Sequence, residues 1–185
     1  MPVILLRHTQ TAVGGSLCYG DTDVPLADSA KNDINEAIEA LPAFDYIVTS
    51  PLQRCRQLAE TAAQQRNRPL AEDPRLKEMC FGKWQGLAWS DVPREELDAW
   101  ADNFECARPH GGESIAELRT RVMSLLTDLA DTRGPAGTPL LVTHAGIIRA
   151  ALTVTQHSTK TDERDHQIDY GQWRHVDLGA MTQRE

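Results

Sequence analysis

The chain is poor in cysteine, poor in aromatic residues and without a long apolar run, and each shortage closes off a class of protein. Its four cysteines, Cys18, Cys55, Cys80 and Cys106, are scattered and form no C-x-x-C pair. That spacing argues against a disulfide framework and against a zinc knuckle. It suits reduced thiols in a cytoplasm. No basic stretch leads into a long apolar segment, so no signal peptide is expected, and no run is long enough to cross a bilayer. Positive charge is also scarce: 19 Lys and Arg against 27 Asp and Glu give a net charge of -8. A surface of that sign attracts neither nucleic acid nor an anionic membrane. A site for an anion must gather its cations locally. No internal repeat, low-complexity tract or linker breaks the 185 residues, a length that suits one domain with a real core.

What is present begins at the start of the chain. Val3-Ile4-Leu5-Leu6 runs straight into Arg7-His8-Thr9. Such a run predicts a strand of a sheet covered on both faces. A strand ending in a cation and an imidazole delivers them to the rim where open α/β sheets hold ligands. The same grammar returns in Pro139-Leu140-Leu141-Val142-Thr143-His144, followed by Ala145-Gly146. Two strands with a histidine at each C-terminal end predict one site built from both ends of the chain.

Between them the patterns alternate. Thr9 to Pro25 is a polar, glycine-containing loop beside a strand end, the kind that often carries function. Asp28 or Ser29 is expected to cap a helix reaching about Leu41. Tyr46–Thr49 reads as a strand. Ser50-Pro51 reads as an N-cap and first helical position, opening a helix to about Arg66 with Arg54 in its first turn. Pro69–Glu72 reads as a short edge strand, and Arg75 to Gly86 as irregular. Glu95–Trp100 is expected to form a short helix covering the rim. Ser114-Ile115-Ala116-Glu117 is a capping box for a helix ending near Asp131. Gly134–Gly137 is an expected turn. Thr155–Ile168, with the charged run 162–165, is an expected surface connection. Tyr170–Leu178 is one last strand or a bent pair. Strands alternating with helices predict an α/β fold, a mostly parallel central sheet flanked by helices in a three-layer sandwich.

The rim would collect His8, His144, Arg7 and Arg54, with Glu78 as the acid; Glu72, Asp73 and Glu113 are its rivals. Arginine forks suit phosphate oxygens. A neutral imidazole can attack phosphorus in line, and nearby cations favour that neutral form. A poor leaving group needs a proton, which Glu78 could supply and later take back from water. Neither His-x-x-x-His nor a carboxylate-rich ligand spacing speaks for a metal-dependent hydrolase. The tryptophans are expected to pack, with Trp89 and Trp100 the better candidates for a lid. His110, His157, His166 and His175 are expected at the surface.

Taken together, these blocks resemble the histidine phosphatase superfamily, whose other branch is the cofactor-dependent phosphoglycerate mutases. The family's opening Arg-His-Gly is similar to Arg7-His8-Thr9. Its Ser-Pro-Leu-x-Arg block resembles Ser50-Pro51-Leu52-Gln53-Arg54. Its acid block resembles Leu76-Lys77-Glu78 through Gly86, its Gly-Gly-Glu-Ser block Gly111 to Ser114, and its closing block Val142 to Arg149. The resemblance runs from about Val3 to Leu178, in the family's order. It implies a phosphoglycerate mutase-like fold, His8 as the phosphorylated nucleophile and Glu78 as proton donor. It also implies a phosphate pocket of Arg7, Arg54 and His144, no metal and no redox cofactor.

Thr9 and Ala145 stand where the family usually has glycine, and each adds a Cβ near the pocket. Arg-His-Thr together with Cys18-Tyr19-Gly20-Asp21-Thr22-Asp23-Val24-Pro25-Leu26 is similar to the α-ribazole phosphatase branch. That adds Thr9, Tyr19, Gly20 and Ala145 as substrate contacts and α-ribazole 5′-phosphate as the implied small-molecule phosphomonoester. The alternatives are a broad-specificity phosphatase, a phosphoglycerate mutase, and a non-catalytic protein that binds phosphorylated ligands. The short, cation-poor stretch from Leu87 to His110 favours transfer to water over the mutase reaction.

Overall fold

The computed structural model describes residues 1–131, 137–156 and 167–180. Five strands form one sheet: β1 (Pro2–Arg7), β2 (Tyr46–Thr49), β3 (Leu70–Glu72), β4 (Pro139–Thr143) and β5 (Trp173–Asp177). Their order is β3-β2-β4-β1-β5. The first four run parallel and β5 is antiparallel at the edge. Arg7 pairs with Thr143, and Thr49 with Val142, so β1, β4 and β2 end side by side. This register brings the residues that follow each strand onto one rim.

The apolar runs are buried on both faces, as their sequence demands. Val3, Leu5 and Leu141 point toward α4 (Ile115–Ala130) and α5 (Ala145–Gln156), meeting Val122, Leu126 and Ile148. Ile4, Leu6, Leu140 and Val142 point the other way, toward α1 (Ala30–Glu39) and α2 (Gln53–Arg66). Successive strand side chains alternate between faces, so one strand feeds two cores. The result is the expected helix–sheet–helix sandwich. The helix α3 (Arg94–Asp102) belongs to neither layer and contributes no fully buried residue.

Local expectations fared unevenly. The capping box on α4 is complete, with Ser114 and Glu117 bonding reciprocally. Ser29 precedes α1 but makes no side-chain cap; its hydroxyl donates to Asp33 instead, at 2.8 Å. Ser50 does not cap α2, which opens at Gln53 after Leu52. Burial explains this: Ser50 is fully enclosed, and its hydroxyl faces His144. His110, expected at the surface, is buried against Phe81 and Trp84 and accepts from the Gly112 amide at 2.9 Å. His175 is exposed as expected. Residues 134–136 of the expected turn and 157–166 of the expected connection, with the charged run 162–165, His157 and His166, lie outside the described residues.

Candidate active site

His8 directly follows β1, and its amide donates to the Thr143 carbonyl at 3.0 Å, extending the β1–β4 ladder to the histidine itself. Its side chain is buried, and Nδ1 lies 2.7 Å from the Thr9 carbonyl. A carbonyl only accepts, so Nδ1 carries the proton and Nε2 keeps its lone pair. His144 directly follows β4 and is also buried. The two rings stand 5.1 Å apart at 62°.

Arg54, in the first turn of α2, is fully buried beside them. Its Nε donates to His144 Nδ1 at 3.3 Å, and its terminal nitrogens donate to the carbonyls of Thr22 and Gly20 at 2.7 and 2.6 Å. Because arginine only donates, His144 Nδ1 is an acceptor here. Its Nε2 then donates to Ser50 Oγ at 2.9 Å. Arg7 donates to the Ile168 carbonyl at 2.6 Å and lies 3.9 Å over the Tyr170 ring. Its Nε is buried without a partner.

Burial pushes the His8 imidazole down to about 3, and the Arg54 and Arg7 charges add to that, against the upward pull of the Thr9 carbonyl. His144 is held well below the ordinary histidine range by burial, then by His8 and Arg54. Both rings are therefore neutral near pH 7. The unfolded chain binds protons on them below about pH 6.5 while the folded chain does not. Stability contributed by the neutral pair is present above that value and is lost as pH falls toward 3. The unfolding free energy from urea titrations should drop between pH 6.5 and 4, by up to about 1.4 kcal/mol per pH unit for each histidine. In the His8→Gln variant the slope should be shallower; an unchanged slope would refute the neutral-pair account.

Glu78 arrives from the irregular stretch between β3 and α3. Oε1 accepts from the Met79 amide at 2.9 Å, and Oε2 accepts from the Gly146 amide at 3.2 Å, in the first turn of α5. A Cβ at Gly146 would collide with Glu78 Oε1. Gly146→Ala should therefore displace the carboxylate. We expect turnover to fall about 100-fold, the cost of a misplaced reacting group, with far-ultraviolet circular dichroism unchanged.

The rival acids are otherwise engaged. Asp73 pairs with Arg75 at 2.7 Å, and Glu113 pairs with Arg121 at 2.6 Å. Glu72 is exposed on β3. Arg121, which the sequence did not single out, also donates to the carbonyls of Arg75 and Glu78, at 2.6 and 3.3 Å. It ties α4 to the backbone that carries the acid. The Gly111–Ser114 block serves the same stretch. A Cβ at Gly112 would collide with the Cys80 carbonyl, so glycine is needed for the two backbones to touch.

A cavity of about 760 Å³ opens over this rim, lined by Arg7, His8, Tyr19, Gly20, Glu78 and Ala145 among others. Tyr19 reaches it because its loop is pinned to the acid stretch: the Cys18 amide donates to the Leu87 carbonyl at 2.9 Å, and the Gly86 amide to the Cys18 carbonyl at 2.8 Å. Arg54 and His144 lie against His8 but do not line the cavity. Neither does Thr9, whose carbonyl orients His8 and whose hydroxyl is buried without a partner. Tyr170, read from the sequence only as the start of the last strand, lies before that strand, covers Arg7, stands 5.5 Å from the His8 ring and meets the Tyr19 hydroxyl at 3.3 Å. Nothing in the sequence around it signals this role. Among the described residues no group of three or more His, Cys, Asp or Glu side chains is placed to hold a metal ion.

Paired strand-end imidazoles and a buried guanidinium, with a carboxyl on the cavity that His8 lines, are groups that suit phosphoryl chemistry, and the chain's similarities agree. The model of the histidine phosphatase superfamily (branch 1) matches residues 3–184, and the chain belongs to that family. It is thereby a phosphatase. It is 35% identical to a glucosyl-3-phosphoglycerate phosphatase of Mycolicibacterium vanbaalenii, over 82% of this chain and 72% of that one. It is 25% identical to the adenosylcobalamin/alpha-ribazole phosphatase of Escherichia coli, over 96% of this chain and 90% of that one. Among solved structures, the alpha-ribazole phosphatase of Shigella flexneri superposes with a TM-score of 0.83 at 25% identity, covering 96% of this chain and 90% of that chain.

Proposed function

We propose that the protein hydrolyses small-molecule phosphomonoesters through a phosphohistidine on His8, in one catalytic domain and with no metal. The observation that carries this is the edge-on packing of His8 against His144 at 5.1 Å, with Glu78 lining the same cavity as His8. His8 Nε2 attacks phosphorus as the P–O ester bond breaks, and the departing oxygen takes a proton from the Glu78 carboxyl. Water then attacks the phosphohistidine, gives a proton to Glu78, and the P–N bond breaks.

The oxygens of the transferring group have donors waiting. Each terminal nitrogen of Arg54 spends one N–H on a carbonyl and keeps a second, and Arg7 Nε is unpartnered. A bound dianion would oppose the effects that hold His144 neutral, allowing Nδ1 to take a proton and turn from acceptor to donor. Fixed donors of this kind stabilise charge spreading over the equatorial oxygens.

The loop Cys18–Leu26 supports α-ribazole 5′-phosphate as substrate. The likeness to glucosyl-3-phosphoglycerate phosphatase, at 35% identity, supports a phosphorylated sugar acid as the second reading. Four free cysteines support a reducing, cytoplasmic setting.

The test is acid-free quenching of chelator-treated protein during turnover of radiolabelled phosphomonoester. One acid-labile, base-stable phosphate per chain, mapped to His8, is expected. Turnover that stops in chelator and returns with zinc would overturn the reading.

A further inference from the structure

Arg7 ends β1 and Arg54 opens α2, and each guanidinium is covered by a tyrosine. Arg7 lies 3.9 Å from the centre of the Tyr170 ring, and Arg54 lies 5.0 Å from the centre of the Tyr19 ring. Both distances are within the range of cation–π attraction. The two phenol hydroxyls meet at 3.3 Å, and both tyrosines line the cavity. We propose that Tyr170 is a positioning residue that couples the two guanidinium groups: it holds Arg7 under its ring and, through the Tyr19 hydroxyl, holds the loop that seats Arg54. This rests on the reading of Arg7 and Arg54 as phosphate donors and adds the device that sets their spacing.

Bonds on both sides of the hydroxyl pair carry it. On the Tyr170 side, the segment from Ile168 to Gln172 is tied to Arg7 and His8. The Arg7 amide donates to the Gln172 carbonyl at 3.0 Å, and the Gly171 amide donates to the His8 carbonyl at 3.2 Å. The Arg7 side chain donates to the Ile168 carbonyl at 2.6 Å. On the Tyr19 side, the Arg54 guanidinium donates to the carbonyls of Gly20 and Thr22, so its seat is the backbone of the loop that starts at Tyr19. That loop is fixed to the acid stretch through Cys18, and Gln85 donates to Thr22 Oγ1 at 2.7 Å. The hydroxyl pair fixes it to the segment bonded to the nucleophile.

The physical need for such a bridge is charge. Both guanidinium groups act on His8, and as like charges they repel each other. Donors that must meet one phosphoryl group work only if their spacing is fixed beforehand. Burial, then the Tyr170 hydroxyl, push the Tyr19 phenol up to about 12, so Tyr19 keeps its proton at neutral pH and can donate it to Tyr170. Relaxed hydroxyl pairs sit at about 2.8 Å, so a separation of 3.3 Å leaves slack. A dianion that attracts both arginines draws the two tyrosines together and tightens the contact.

The experiment measures turnover of phenyl phosphate and calorimetric binding of inorganic phosphate in Tyr170→Phe, Tyr19→Phe, the double variant and Tyr170→Leu. Tyr170→Phe keeps the ring over Arg7 and loses the hydroxyl. Its kcat/KM and its phosphate affinity should each fall about 5-fold, the worth of one hydrogen bond. Tyr19→Phe should lose the same factor, and the double variant no more than either alone, because each change removes the same contact. Tyr170→Leu also takes the ring off Arg7 and should lose about 50-fold. Independent packing effects would instead multiply, to about 25-fold in the double variant. Multiplied losses, phosphate affinity unmoved by either phenylalanine, or a wild-type protein that binds no phosphate would overturn the coupling. Non-additive losses of phosphate affinity in a protein that forms no phosphohistidine would uphold the role of Tyr170 and sink the nucleophile instead.

Discussion

Replacing His8 with alanine is expected to lower kcat on an aryl phosphate by about 10⁴-fold or more and to abolish the trapped phosphoenzyme, because a nucleophile has no substitute within its own site. The size of the effect follows from the wiring around the ring. The Thr9 carbonyl fixes the proton on Nδ1, so Nε2 is the free lone pair. Burial and two guanidinium groups keep the imidazole neutral down to about pH 3, so the attacking form needs no activation by a base. An acid limb of kcat/KM near neutrality therefore does not report His8. Removing the ring leaves Arg7, Arg54 and His144 in place, so inorganic phosphate should still bind the variant. Calorimetry on phosphate would show that the pocket survives while the chemistry is gone. Undiminished turnover would end the phosphohistidine mechanism.

The second large effect belongs to Glu78. Glu78→Gln should cut kcat on an alkyl phosphate by about 10²–10³-fold, the usual worth of a positioned general acid. The side chain keeps its length, and the amide oxygen can still accept from one of the two N–H groups that hold the carboxylate, Met79 or Gly146. The loss is therefore mainly of proton transfer. The diagnostic is the leaving group. A p-nitrophenolate departs without a proton, so in single-turnover experiments its phosphorylation step should fall far less than that of an alkyl ester. On the proposed mechanism dephosphorylation also uses Glu78, as base, so the p-nitrophenyl ester should show a burst of one equivalent followed by a slow phase. Equal losses for both leaving groups in the phosphorylation step would remove Glu78 from the acid role.

Arg121 shows how far the acid's position depends on contacts the chain order hides. It sits on α4 and bonds the carbonyls of Arg75 and Glu78 while pairing with Glu113. In the sequence it is one more cation on a helix. Ser50 is a similar case. Its position before a proline and a helix is a strong capping signal, yet a buried imidazole needs a partner more than an exposed helix end does, and His144 takes the hydroxyl. His110 was expected outside because an isolated histidine carries no burial signal, and only the packing of Phe81 and Trp84 around it encloses it.

The sequence alone determined the buried strands, the two strand-end histidines and the α4 capping box, because apolar runs and capping chemistry act between residues close along the chain. The tertiary structure decided the partnerships. Arg54 meets His144 from 90 residues away, and Glu78 meets Gly146 from 68. Those contacts put one carboxylate of the four candidates on the cavity that His8 lines and set the proton on one imidazole nitrogen. Neither follows from spacing, because each depends on which strand ends the parallel register brings together.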